Sequence, residues 1–245
     1  MQAISLGRLV STTTEQPVIV GRTKCFGLVS YRAAWRFTWR AWICFVLCLA
    51  VLVGAILLGA NRFLAVNQPL HGDVLVVEGW LPAYGMKKVA EEYLLGNYDY
   101  VLVVRALYDP LDRPGQGLPK LDYLGDRLIK HGVPADKIHV MNIQAPQRHR
   151  TYHSAMAAKA WIEENSNTCS RIDVASLGPH ARRSRLMFEK AFGHDTRVGI
   201  IAVQDRMYNP QDWWRSSEGT REVVGEGIAY VYARLLFSPP SNAKN

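Results

Sequence analysis

The segments DVLVVE (residues 73–78) and YVLVVR (residues 100–105) decide the fold. Each is a short, β-branched, almost unbroken apolar run, the pattern of a strand buried on both faces. Between them lies an amphipathic stretch, Ala83 to Leu95, of helical period. Two such strands joined by a helix make a parallel crossover unit. The pattern continues through IHVMN (138–142), RIDVASL (171–177) and RVGIIAV (197–203). Helical patterns span Lys120 to His131, Tyr152 to Glu164 and Ala181 to Phe192, and a longer one closes the chain from Trp213 to Phe237. The expectation is an α/β, Rossmann-like three-layer domain with a mainly parallel five-stranded sheet, preceded by one transmembrane helix. Residues 106–119, rich in Pro, Gly and Asp, form the one long connection without a pattern, a kind of loop that is often functional.

Upstream, Ala41 to Ala60 are twenty residues without a charge, bounded by Arg40 and Arg62. As a helix they would cover about 30 Å, the thickness of the hydrocarbon layer. A buried core helix is the competing reading, but so long a uniform run exceeds the usual buried stretch. A cleavable signal would have a shorter apolar core and a small-residue cleavage site, and no Ala-x-Ala follows here. Trp35, Trp39 and Trp42 stand where an interfacial aromatic belt belongs. Residues 1–40 hold six Lys/Arg against one acid, which places the N-terminus in the cytoplasm and everything after the span outside. The reading is thus a loosely ordered basic tail (1–40), a single membrane span (41–60) and an extracytoplasmic domain (61–245).

The 245 residues are 49% hydrophobic, enough for a core without metal or disulfide support. The formal charge of +8 comes mostly from the tail: residues 61–245 hold 23 basic against 20 acidic side chains. No basic run interleaved with aromatics occurs there, which excludes nucleic acid as the expected partner. Of four cysteines only Cys169 lies beyond the apolar segment, so the domain has no internal disulfide to form.

In an open parallel sheet the ligand crevice lies beyond the carboxyl ends of the strands. The residues at those ends are Glu78, Gly79 and Trp80; Arg105 with Asp109 and Asp112; Arg148 to Thr151; Gly178 to His180 with Arg182, Arg183 and Arg185; and Gln204 to Arg206. Guanidinium forks and helix N-termini near Thr151 and Ala181 suit a phosphate or another anion. Glu78 reads as a group that orients or deprotonates a nucleophile and His180 as an acid or base, with Arg105, Arg150 and Arg183 as the anion clamp. Each has a blander reading: a solvated strand end for Glu78, a structural hydrogen bond for His180, a helix cap for Thr151, and core or interface anchoring for Trp213 and Trp214. Fingerprints of dinucleotide enzymes, P-loop ATPases, nucleophile-elbow hydrolases and zincins are missing. His149 and His153 have no carboxylate or thiol to complete a metal site, so no metal is expected, and no cofactor is indicated.

Two segments carry a resemblance. RTYHSA (150–155) and HARRSRLMF (180–188) are similar to signature segments of the DUF218 family, the ElyC/SanA/YdcF-like bacterial envelope proteins. The matching positions are Thr151 and Ser154 in the first segment, and His180 and Arg183 in the second. Gly132-Val133-Pro134 with Ile138 resembles the family's link into its third strand. The chain departs from the family at Glu78-Gly79-Trp80-Leu81-Pro82 and Val104-Arg105-Ala106-Leu107, where glycine-rich turns are usual, so it reads as a divergent branch whose pocket Trp80 and residues 213–217 help to shape. The resemblance implies binding of a phosphorylated, lipid-linked-glycan or nucleotide-like ligand, with hydrolysis or transfer in cell-wall and envelope biogenesis. The alternative is a noncatalytic ligand-binding or scaffold module that regulates envelope assembly.

Overall fold

A computed structural model describes residues 23–24, 29–30, 38–107, 121–144, 146, 148–165 and 169–240. The chain divides into two compact units, 1–49 and 50–245. In the first, β1 (Thr23–Lys24) pairs antiparallel with β2 (Val29–Ser30), local order inside what the sequence presents as a patternless tail. Helix α1 (Trp39–Leu64) follows, 26 residues long with a mean hydropathy of 2.9 in its most apolar window, none of it buried. It is the one helix among the described residues long and apolar enough to cross a membrane. It outruns the expected span because its last two turns pack on the domain. Leu64 is buried, the Trp213 indole N–H donates to the Leu57 carbonyl at 2.8 Å, and the Tyr208 hydroxyl donates to Asn61 Oδ1 at 2.9 Å. By packing, residues 57–64 belong to the domain as well as to the helix.

The domain alternates β3 (Val74–Glu78), α2 (Gly85–Leu95), β4 (Tyr100–Leu107), α3 (Leu121–Lys130), β5 (Ile138–Gln144), α4 (Arg150–Asn165), β6 (Arg171–Leu177), α5 (His180–Phe192), β7 (Arg197–Val203) and α6 (Ser217–Leu235). All five strands are parallel, in the order β5-β4-β3-β6-β7. Period-two alternation assigns the faces. Val74 and Val76 pack with Leu102 and Val174 toward α4, α5 and α6, while Leu75 and Val77 pack with Val101 and Val103 toward α2 and α3. Every residue of β3 is buried, and helices cover both faces, as a central parallel strand requires.

β4 extends two residues beyond the expected end, taking Ala106 and Leu107 out of the connecting loop, and Asp109 and Asp112 lie outside the described residues. The closing helical pattern is interrupted: Trp213–Arg215 form a 3₁₀ turn, and Ser216 Oγ, accepting from the Gly219 N–H at 3.1 Å, caps a separate α6. Trp213 is a core residue packed with Leu64, Tyr208 and Val223, so it shapes the α1 junction and not the pocket. Strand order reverses between β3 and β6, and this switch point fixes where a ligand crevice opens.

Candidate functional site

At the carboxyl ends of β3 and β4, beside the start of the α5 helix that follows β6, the chain opens into a cavity of about 620 Å³. Its lining includes all eight residues singled out from the sequence: Glu78, Trp80, Arg105, Arg150, Thr151, Ser154, His180 and Arg183. They come from β3 and its following turn, β4, the first two turns of α4, and the first turn of α5. Gly79 lets the β3 turn lie against β4. Its N–H donates to the Val104 carbonyl at 2.8 Å, and a Cβ there would sit 2.8 Å from that same oxygen.

Glu78 is buried, not a solvated strand end. Ser176 on β6 donates to Oε2 at 2.5 Å and Ser184 on α5 donates to Oε1 at 2.9 Å. His180 Nε2 stands 3.6 Å from Oε1, an ion-pair contact longer than a hydrogen bond. On its other side, His180 Nδ1 lies 2.9 Å from Glu226 Oε1 on α6 and 2.8 Å from Arg183 Nη2. A protonated Nδ1 donates to the carboxylate, and the guanidinium is then a neighbouring like charge. Arg183 in turn grips Glu226 with a fork, Nε to Oε2 at 2.8 Å and Nη2 to Oε1 at 3.0 Å, and donates from Nη1 to Thr151 Oγ1 at 3.4 Å. The Trp80 ring meets the imidazole edge to face at 4.9 Å.

The electrostatics follow from this sandwich. Burial opposes charge on His180, but the Glu78 carboxylate and the contacts with Glu226 and Glu78 outweigh burial and the opposing Arg183, so the pKa lies above the ordinary 6.5. Burial would raise Glu78, yet the neighbouring His180 charge and the Ser176 and Ser184 hydroxyls hold it below 4.5. Glu226, against its own burial, is drawn down to about 2 by His180 and Arg183. All three shifts act in the direction that favours an imidazolium between two carboxylates.

Three features differ from the sequence reading. The cavity is not dominated by cations, because Arg105, Arg150 and Arg183 are matched by Glu78, Glu222 and Glu226. Arg182 stacks on Phe63 and donates to its carbonyl, Arg185 pairs with Glu189 and Gln68, and Asp205 and Arg206 engage Tyr84, so none of these joins the site. Thr151 is the second residue of α4 and not its cap, since the helix begins at Arg150 behind His149, which takes a left-handed φ of 56°. Glu226, Ser176 and Ser184 carry much of the geometry without having been singled out. Among the described residues no group of three or more His, Cys, Asp or Glu could hold a metal ion. No family model matches the chain, and no curated protein matches it either.

Proposed function

We propose that the chain is a single-pass bacterial envelope protein whose domain binds a phosphorylated ligand in this cavity and hydrolyses or transfers it. The observation that carries the reading is His180, set between the Glu78 and Glu226 carboxylates on the wall of a cavity that Arg150 and the start of α4 also line. A helix N-terminus and a guanidinium suit the anion, and Glu222, on the same lining, suits hydroxyls of a sugar or nucleoside portion. In that reaction Arg150 and Arg105 bind the phosphate, Thr151 and Ser154 orient it, and Trp80 bounds the pocket. His180 donates its Nε2 proton to the leaving oxygen as the bond to phosphorus or the glycosyl carbon breaks, while a water (hydrolysis) or an acceptor hydroxyl (transfer) forms the new bond to that atom and releases its own proton to solvent. Glu78, with both oxygens already accepting hydrogen bonds, acts as a positioning residue that keeps His180 charged and is not the base. The likeness of residues 150–155 and 180–188 to DUF218 segments supports a cell-wall or envelope intermediate, lipid-linked glycan or nucleotide-like, as the ligand class.

A noncatalytic binding module is the second reading. It draws on the same saturation, since Ser176 and Ser184 are committed to Glu78 and neither is a free nucleophile. Ligand retained on purification, identified by mass spectrometry, gives the substrate class. His180→Ala then separates the readings. In an enzyme, turnover falls about 10²- to 10⁴-fold while ligand affinity changes far less. A loss confined to affinity, with no turnover of the retained ligand by the native protein, would establish the binding module. Arg150→Ala should weaken anion binding by about 1.5–3 kcal/mol, and unchanged affinity would remove the clamp. The basic tail supports an inside N-terminus: a reporter fused after Asn245 should be active only as an exported protein, and cytoplasmic activity would reverse the orientation.

A further inference from the structure

α6 carries an apolar face that nothing in the domain covers. Val224, Ile228, Val231 and Leu235 recur at helical spacing and are all exposed, Ile228 at 67% and Leu235 at 74%, with Tyr232 and Leu236 beside them. At about 100° per residue these four form one stripe down the helix. The charges of α6 are sorted around it. Glu226 turns into the cavity and Glu222 stands at its edge, half exposed and 3.9 Å from the Arg221 guanidinium, whereas Arg221 and Arg234 border the stripe. An apolar stripe flanked by arginines suits a helix lying in a membrane interface, where arginine stems snorkel to anionic headgroups. On the other side of the sheet, the exposed large apolar residues among the described ones are Leu94, Leu95 and Ile129 on α2 and α3, the scatter an ordinary surface shows.

The stripe is also continuous with the membrane helix. Phe63, half exposed near the end of α1, packs edge on against Tyr230, and a Cβ on Gly227 would lie 3.9 Å from Leu64 Cδ1. α6 therefore runs beside the turns by which α1 enters the domain. We propose that the Val224–Ile228–Val231–Leu235 face of α6 docks on the bilayer surface, so that α1 and α6 together seat the domain on the membrane. Tyr232, on the border of the stripe, also lines the cavity, so this seating brings the cavity mouth to the lipid interface. The inference rests on α1 crossing a membrane and is independent of the ligand and reaction proposed above.

The test uses the full chain in phosphatidylcholine/phosphatidylglycerol nanodiscs holding one copy each, with native cysteines replaced and a spin label at Ile228→Cys, Leu235→Cys or, as control, Leu94→Cys. All three positions are exposed, so the fold should tolerate them. Access of an aqueous nickel reagent to residues 228 and 235 should be roughly tenfold below that at residue 94, with oxygen access raised. Equal aqueous access at all three positions would overturn the proposal. Protection that appears only in discs holding two copies would overturn it too, making the stripe a contact between chains.

Discussion

Two buried carboxylates stand at opposite ends of the same sheet, and their partners differ in kind. Asp173, near the amino end of β6, is wholly buried and accepts from the Leu70 N–H at 2.8 Å, the Gly72 N–H at 3.1 Å and the Tyr98 hydroxyl at 2.8 Å. Glu78, at the carboxyl end of β3, is served by two serine hydroxyls and a histidine, and it borders a cavity. Backbone N–H groups can only donate, so Asp173 has one acceptable state, whereas hydroxyls rotate and imidazole titrates. One carboxylate therefore fixes the chain entering β3, and the other can change its charge environment without unfolding the sheet. The largest expected effect tests the rigid end. Asp173→Asn turns an amide against donors and should cost about 3–5 kcal/mol in denaturant unfolding, since each stranded buried group costs about 1–3 kcal/mol. Gly199→Ala should be similarly severe, because its Cβ would lie 1.8 Å from Asp173 Oδ1. A loss below about 1 kcal/mol in both variants would mean that the two ends are not different in kind.

The next effect is smaller in stability and larger in chemistry. Glu78→Gln keeps the shape, and Ser176 and Ser184 can rotate to accept from its amide, so unfolding should cost only about 1–2 kcal/mol. The charge beside His180 disappears, however, and with it the largest influence holding the imidazole protonated against burial. Titration of His180 by NMR should shift toward lower pH in this variant. An unmoved titration would show that Glu226 alone sets the charge of the ring.

The difference between the two ends also explains what was legible in the sequence. All five strands were: β3, β4, β6 and β7 through the apolar runs that burial demands, such as DVLVVE, and the edge strand β5, none of whose residues is buried, through its place in the strand–helix alternation. Strand-end reasoning also reached Glu78, Arg105, His180 and Arg183, since a switch point places just those positions around one opening. Glu226 was not reached: it lies 46 residues from His180 on a helix whose local pattern says nothing about its partner. Ser176 and Ser184 look like ordinary small polar residues until the carboxylate between them is seen. A usable signal was present for Asp173, a lone acid inside the apolar run RIDVASL, which burial obliges to find donors. The charge balance of the cavity was illegible for a different reason. Arginines cluster at strand ends in sequence, but two of the three acids that match them, Glu222 and Glu226, arrive from α6.

The pH dependence of stability sharpens the contrast by sign. His180, with its pKa raised above 6.5, contributes stability that is fully present below pH 6.5 and lost as pH rises through the raised value. Glu226, drawn down to about 2, contributes above pH 4.5 and loses it as pH falls toward about 2, and Glu78 behaves in the same direction. The cluster should therefore stabilise most between pH 4.5 and pH 6.5. Denaturant midpoints of the native protein relative to His180→Asn should show that plateau and a decline above it. A constant difference from about pH 5 to about pH 9 would mean that His180 has no raised pKa.

The smallest effect isolates the outermost link of the cluster. Thr151 accepts from Arg183 Nη1 at 3.4 Å, a long bond on a side chain that is only half buried, while the same guanidinium is already held twice by Glu226. Thr151→Val removes the acceptor and keeps the β-branched shape in the first turn of α4, so stability should fall by less than about 1 kcal/mol. The titration of His180 should stay in place, because the Glu226 fork still fixes Arg183. Ligand affinity should nonetheless drop if Thr151 orients the anion at the α4 N-terminus, which separates its place in the cluster from its place in the cavity. A shift of the His180 titration as large as that in Glu78→Gln would instead make Thr151 part of the machinery that holds the charge, and extend the adaptable end of the sheet to α4.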